Sequence, residues 1–166
     1  MAVHDSRAVT LGLRVSQAVL AIVVLGLTAY VANWWQGYYH GTAPSQIAFL
    51  IFCSAWTILA LLFLVLVPTR FSESKANHAY AVLAVEGLTM LFWFAGFIAQ
   101  AAFVSDRVCF GHVCNAAKAA AAFAALAWLV FVFSTILAAM YVVRNHNRNH
   151  NHSLKADANM SVHGAV

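Results

Sequence analysis

Four continuous apolar runs, each as long as a helix that crosses a bilayer, constrain this chain more than any other feature. They extend over about Val15 to Ala32, Ile47 to Val67, Tyr80 to Phe103 and Ala119 to Val143. About 20 residues rising 1.5 Å each span roughly 30 Å of hydrocarbon. In that layer only helices and closed barrels satisfy every backbone N–H and C=O, and these runs are too long and too evenly apolar for barrel strands. Composition agrees. The 166 residues are 63% hydrophobic and 8% charged, with a mean hydropathy of +0.79, whereas a soluble domain carries about a quarter charged residues. The expectation is an all-α integral membrane protein, a four-helix bundle with short loops. Residues 1–12 form an N-terminal segment, 13–143 the four-span unit, and 144–166 a disordered His/Asn-rich tail.

Charge gives an orientation. Arg7 and Arg14 precede the first run, Arg70 and Lys75 lie between the second and third, and Arg144, Arg148 and Lys155 follow the fourth; only Arg107 and Lys118 fall on the other side. The positive-inside rule therefore places both termini in the cytosol. The first run is long for a signal-peptide core and leads into NWWQGYYHG without a small-x-small cleavage site, so it reads as a retained span.

The first outer loop holds Trp34, Trp35, Tyr38 and Tyr39, rings that settle in the headgroup layer. The second, SDRVCFGHVCNAAK, carries Cys109 and Cys114 with Gly111 between them. In an oxidising compartment a short disulfide is feasible there. A zinc site using His112 and the two thiolates lacks a fourth ligand. Cys53, inside the second run, reads as a small core or lipid-facing residue. In the tail, RNHNRNHNHS brings His146, His150 and His152 close in sequence, but this low-complexity stretch reads as solvated chain rather than a metal site. The sequons at Asn151 and Asn159 stay silent if the tail is cytosolic.

The stretch EGLTMLFWFAGF opens with Glu86, which no other Asp or Glu accompanies within the spans. At 3.6 residues per turn Glu86, Met90, Trp93, Phe97 and Gln100 share one stripe, bordered by Thr89 and Gly96. Such a stripe belongs inside a bundle. The first run offers a matching face in Arg14, Gln17, Ala21, Leu25 and Thr28, and an Arg14–Glu86 contact with Gln17 taking part is expected. The rival role, proton or cation handling, needs further titratable steps that the spans do not supply. The alanine-rich start of the fourth run contains small-xxx-small registers such as Ala120–Ala124, which serve either internal packing or association between copies.

Enzymatic signatures are missing from the sequence. It has no phosphate-binding glycine loop, no HExxH and no paired carboxylates in a span. Ser54 and Ser134 read as isolated hydroxyls bonded to their own helices. No catalytic, cofactor-binding or metal-binding residue is assigned, and no cofactor is expected. The net charge of +4 comes mainly from the flanks of the spans and speaks for topology rather than nucleic acid.

The third span EGLTMLFWFAGFIAQAAF, the CFGHVC loop and KAAAAFAALAWLVFVFS together resemble a fungal MARVEL-domain (membrane-associating) protein over about residues 8 to 143. The pattern is carried by Glu86, Phe92 and Trp93, Cys109 and Cys114, and Lys118. The resemblance implies a non-enzymatic role in lateral membrane domains, membrane apposition or vesicle trafficking. It also implies membrane lipids as partners, a homo-oligomer or other membrane proteins beside them, and the plasma membrane or a secretory or vesicle membrane as the location. Helix-face spacing and the resemblance together give Arg14, Gln17, Glu86, Trp93, Gln100 and Lys118 as structural residues. A small-solute or ion transporter or channel component is the alternative. Sparse polar residues, and prolines confined to the span boundaries at Pro44 and Pro68, weigh against it. A claudin-like adhesion protein needs a large cysteine-bearing first outer loop, which this chain lacks.

Overall fold

The computed structural model describes residues 2–39, 42–70, 75–106 and 111–163, with side chains over 8–38, 42–64, 80–106, 111–144 and at 147. The chain forms four helices: α1 (Ala2–Tyr39), α2 (Ser45–Arg70), α3 (Lys75–Ser105) and α4 (His112–His163). Segments long and apolar enough to cross a membrane are Ala8–Tyr38, Ser45–Leu64, Tyr80–Ser105 and His112–Arg144. This is an integral, multi-pass, all-α membrane bundle.

The starts of α2 and α4 show how the chain enters its helices. The Pro44 carbonyl accepts from the Ile47 and Ala48 N–H groups at 3.0 and 3.1 Å, opening α2. Gly111, at φ 91°, turns the chain into α4 in a conformation that side-chain-bearing residues rarely adopt. The backbone of α4 stays helical to His163, whereas the sequence reading set an unstructured tail from residue 144. A helix already nucleated in the membrane extends by one hydrogen bond per residue, and Leu154, Lys155, Ala156, Ala158 and Met160 are good helix formers. The side chains of His146, His150 and His152 lie outside the described residues, as do Cys109 and Arg107.

Helix α1 packs against α2 and α4, and α3 packs against the same two. The four helices close a ring in which α1 and α3 occupy one diagonal and α2 and α4 the other. Short connections make ring neighbours antiparallel. The start of α1 and the end of α4 therefore share one end of the bundle, here the terminal end, and the start of α2 and the end of α3 lie at the far end.

Buried positions follow a 3.5-residue repeat. They are Gln17, Ala21, Val24, Thr28 and Val31 on α1, and Glu86, Thr89, Trp93, Gly96 and Gln100 on α3. On α4 they are Ala117, Ala120, Ala124, Ala127, Phe131 and Ser134. Alternating steps of three and four are the period of a left-handed supercoiled bundle. The α3 stripe is turned from the one drawn on sequence. Thr89 and Gly96 face the interior, while Met90 and Phe97 are half-buried flanks; on α1, Val24 takes the central place given to Leu25. Size explains the turn. The small Thr89 and Gly96 let α2 approach, and the bulk of Phe97 is spent against Trp128 of α4, with ring centroids 5.4 Å apart.

Gly96 is the closest approach. A Cβ there would lie 2.8 Å from Leu50 Cδ2 and 3.6 Å from Cys53 Sγ. The α4 alanines likewise face inward, so within one chain they serve internal packing. Trp93, Leu50, Cys53, Val24, Ala124 and Phe131 form the main core, and Val31, Ile47 and Ala117 anchor a second cluster toward the far end. Cys53 is a core residue whose Sγ lies 3.5 Å from the Phe92 carbonyl.

Candidate functional site: a layered polar seam inside the bundle

The polar side-chain bonds that join helices inside the bundle fall into three layers, each joining a different set of helices. The layer nearest the terminal end is built on Glu86, which is 0% exposed. Arg14 Nη1 of α1 donates to Glu86 Oε1, and Ser134 Oγ of α4 donates to Glu86 Oε2. The same Arg14 Nη1 donates to Gln17 Oε1 at 3.1 Å, one turn along α1. Both carboxylate oxygens are thus occupied, one by a cation and one by a hydroxyl, as a charge removed from water requires. Arg14 is the less buried partner, its side chain 20% exposed. The register allows the meeting: Arg14 lies twelve residues after the start of α1 at Ala2, and Glu86 eleven after the start of α3 at Lys75.

The middle layer joins α2 to α3 by two reciprocal bonds. Trp93 Nε1 donates to Thr57 Oγ1 at 2.9 Å, and Trp56 Nε1 donates to Thr89 Oγ1 at 3.1 Å. Each threonine hydroxyl donates to its own helix, Thr57 to the Cys53 carbonyl at 2.8 Å and Thr89 to the Val85 carbonyl at 2.7 Å. Every N–H and O–H in this group therefore has a partner, the condition for burying an indole or a hydroxyl in hydrocarbon. Phe52, Trp56 and Phe92 pack around it, with the Phe52–Phe92 and Trp56–Phe92 centroids 5.6 and 5.7 Å apart in T-shaped pairs.

In the third layer, toward the far end, Gln100 Nε2 of α3 donates to the Ala117 carbonyl of α4 at 3.4 Å, a long bond. Beyond it the rings gather at the membrane edge. Trp34 stacks on Tyr38 with centroids 5.1 Å apart and planes 15° apart, and Trp35 meets Phe103 at 6.4 Å.

The structure therefore brings Arg14, Gln17 and Glu86 together, sets Trp93 in the next layer and Gln100 in the last. Lys118 is exposed near the start of α4 and joins none of the three. Cys114 is buried at the start of α4. The reading of Ser134 as a hydroxyl bonded to its own helix is corrected: it is the second partner of Glu86. Ser54 does bond to its own helix, at the Leu50 carbonyl, 2.9 Å. Trp56 and Thr57 carry interhelix bonds that the spacing of polar residues along α2 does not disclose. The signal that could have found Ser134 is its place in the α4 repeat, three residues after Phe131 and fourteen after Ala120.

Chemically, this seam holds helices together. Glu86 faces no second carboxylate in the spans, and the hydroxyl nearest it along α3, Thr89, is committed to the Trp56 indole. No group of three or more His, Cys, Asp or Glu suited to a metal ion occurs among the described residues. Outside the seam the spans present large apolar side chains, among them Leu11, Val15, Ile22, Leu59, Leu62, Leu91, Leu129 and Ile136. Fold and seam together define a class: a multi-span membrane bundle with its polar groups turned inward and its apolar surface turned to lipid.

Within that class the chain belongs to the MARVEL family. The family model, described as a membrane-associating domain, matches residues 7–137 and so takes in all three layers. Among curated proteins and solved structures, none matches the chain.

Proposed function

We propose that this chain is a non-enzymatic membrane organiser, acting in lateral membrane domains, membrane apposition or vesicle trafficking. One observation carries the reading: Glu86, Trp93 and Trp56 are bonded between helices inside the bundle, which leaves an outward surface of large apolar groups. Connections this short leave the spans to engage lipid and neighbouring helices. Residues 13–143 are the organising unit, both termini are cytosolic, and Cys109 and Cys114 form a disulfide on the opposite side. The plasma membrane is the location that best fits this role, and a fungal member of the family is the reading that the resemblance supports. Membrane lipids are its first partners, with further copies or other membrane proteins beside them.

The test is live-cell imaging of a carboxyl-terminally tagged protein with protease accessibility of the tag in the same cells. Stable plasma-membrane patches with a protected tag are the expected result. Internal mobile puncta would move the role to vesicle traffic, and an externally cleaved tag would overturn the orientation. Solute or ion flux through reconstituted vesicles would replace the organiser with a conduit.

A further inference from the structure

The Arg14–Glu86 pair is asymmetric. Glu86 is 0% exposed and held at both oxygens, whereas the Arg14 side chain is 20% exposed and uses one nitrogen, Nη1, for both of its bonds. Its Nη2 and Nε have no hydrogen-bond partner among the described residues. A guanidinium presents its donors as a planar fork suited to a phosphate or carboxylate. Here the inner part of the fork is committed to protein and the outer part is not.

Depth decides what can use those donors. Arg14 stands immediately before the apolar run of about Val15 to Ala32, at the terminal end of the bundle. From there an arginine reaches the headgroup layer by extending along the helix. The anion available at that level is the phosphate of a phospholipid. Arg144, exposed at the end of the span in the neighbouring α4, adds positive charge ten residues, about 15 Å, closer to the terminal end than Ser134.

We infer that Arg14 is a phospholipid site: its outer donors take the phosphate of an anionic lipid in the leaflet at the terminal end, in competition with Glu86, which holds the same cation inward. A zwitterionic lipid carries its own cation beside the phosphate and competes less well. The carboxylate therefore sets the affinity, since weakening the inward hold releases Arg14 toward the lipid. The inference deepens the organiser reading by naming a lipid class. It rests on that reading only in taking lipid as the partner, so a failure to form patches in cells leaves it standing.

The experiment titrates detergent-purified, full-length protein with dioleoylphosphatidylglycerol or dioleoylphosphatidylcholine and reads bound lipid by native mass spectrometry. Wild type should prefer phosphatidylglycerol. Glu86→Gln should bind it more tightly by about fivefold, the weight of one basic side chain at an anionic surface. Arg14→Gln alone strands a buried carboxylate, so the informative partner is the double variant Arg14→Gln/Glu86→Gln. It carries no buried charge at these positions and should lose about fivefold of the wild-type preference for phosphatidylglycerol, keeping only what Arg144 and the other terminal-end basic residues supply. Helicity and a monodisperse elution profile check that each variant is folded. A folded double variant that keeps the wild-type preference overturns the site. Displacement of phosphatidylglycerol by inorganic phosphate at equal concentration would show a general phosphate site and overturn the lipid assignment.

Discussion

Arg14 and Glu86 meet across the bundle from helices that stand on a diagonal of the ring, and Ser134 reaches the same carboxylate from a third helix. One acidic side chain thereby ties α1, α3 and α4 together at the terminal end. The middle layer ties α3 to α2, so all four helices are linked by polar contacts within two layers. In lipid, where apolar burial does not distinguish a neighbouring helix from an acyl chain, such bonds and close packing carry association.

Ser134→Ala removes the hydroxyl from Glu86 Oε2 and leaves that oxygen buried without a donor. The expected loss is about 1–3 kcal/mol, the range for hydrogen bonds to a charged group. Titration with sodium dodecyl sulfate, following helix loss, reads it. Ser54→Ala is the control: its hydroxyl bonds only the Leu50 carbonyl of its own helix, and the variant should unfold at nearly the wild-type midpoint.

Thr57→Val keeps the shape of the side chain and removes the acceptor for the Trp93 indole. The N–H is then buried without a partner, and a destabilisation of about 1 kcal/mol is expected, near the values found for interhelix hydrogen bonds in membranes. A shift in Trp93 fluorescence should accompany it, measured with the other four tryptophans replaced by phenylalanine.

Gly96 and Gly87 lie on the same helix and predict opposite outcomes. At Gly96 a new methyl group meets Leu50 Cδ2 at 2.8 Å, so Gly96→Ala displaces a buried leucine and Gly96→Val separates α2 from α3. The alanine variant should lose about 1–3 kcal/mol, the usual cost of overpacking. Shortening Leu50 to Ala in the same chain should recover part of that loss. Gly87 has nothing within 4 Å of the added group, and Gly87→Ala should stabilise by about 0.5–1 kcal/mol through helix propensity alone.

How far the sequence discloses this arrangement depends on whether a feature lies within one helix or between two. The four spans are readable because hydrocarbon thickness fixes their length. The inward direction of Glu86, Trp93 and Gln100 is readable because polar and large amphipathic groups at 3.5-residue spacing have one sheltered face. Ser134 is not readable from its own surroundings, an apolar helix on which a backbone bond is always on offer; its partner comes from α3, and neighbour identity appears only once the ring is closed. The same holds for Met90 and Thr89, two candidates for one inward position. The choice was made by the approach of α2 to Gly96 and Thr89, not by periodicity. The path of α4 past Val143 was hidden for a different reason: low-complexity composition speaks for solvation, while continuation of an existing helix costs little per residue.

Thiol labelling tests the outer loop and the orientation together. Cys53 is buried in the core, so folded protein in detergent should take up no maleimide there. If Cys109 and Cys114 are bonded, denaturation without reductant should yield one adduct and denaturation after reduction three, the full cysteine count. Three adducts without reductant would place that loop in a reducing compartment or leave the cysteines unpaired.

The central claim is that the buried charge is architecture, and a double-mutant cycle on Arg14 and Glu86 tests it most directly. Unfolding free energies in detergent are compared for wild type, Arg14→Gln, Glu86→Gln and the double variant. Arg14→Gln should cost the most, about 3–5 kcal/mol, because it strands a fully buried carboxylate. Glu86→Gln should cost less, since the partly exposed Arg14 can turn to the headgroups. The double variant should be more stable than Arg14→Gln, with a coupling between the two sites of about 1–3 kcal/mol. Additive losses, or single variants as stable as wild type, would contradict the claim that these residues clasp α1 to α3.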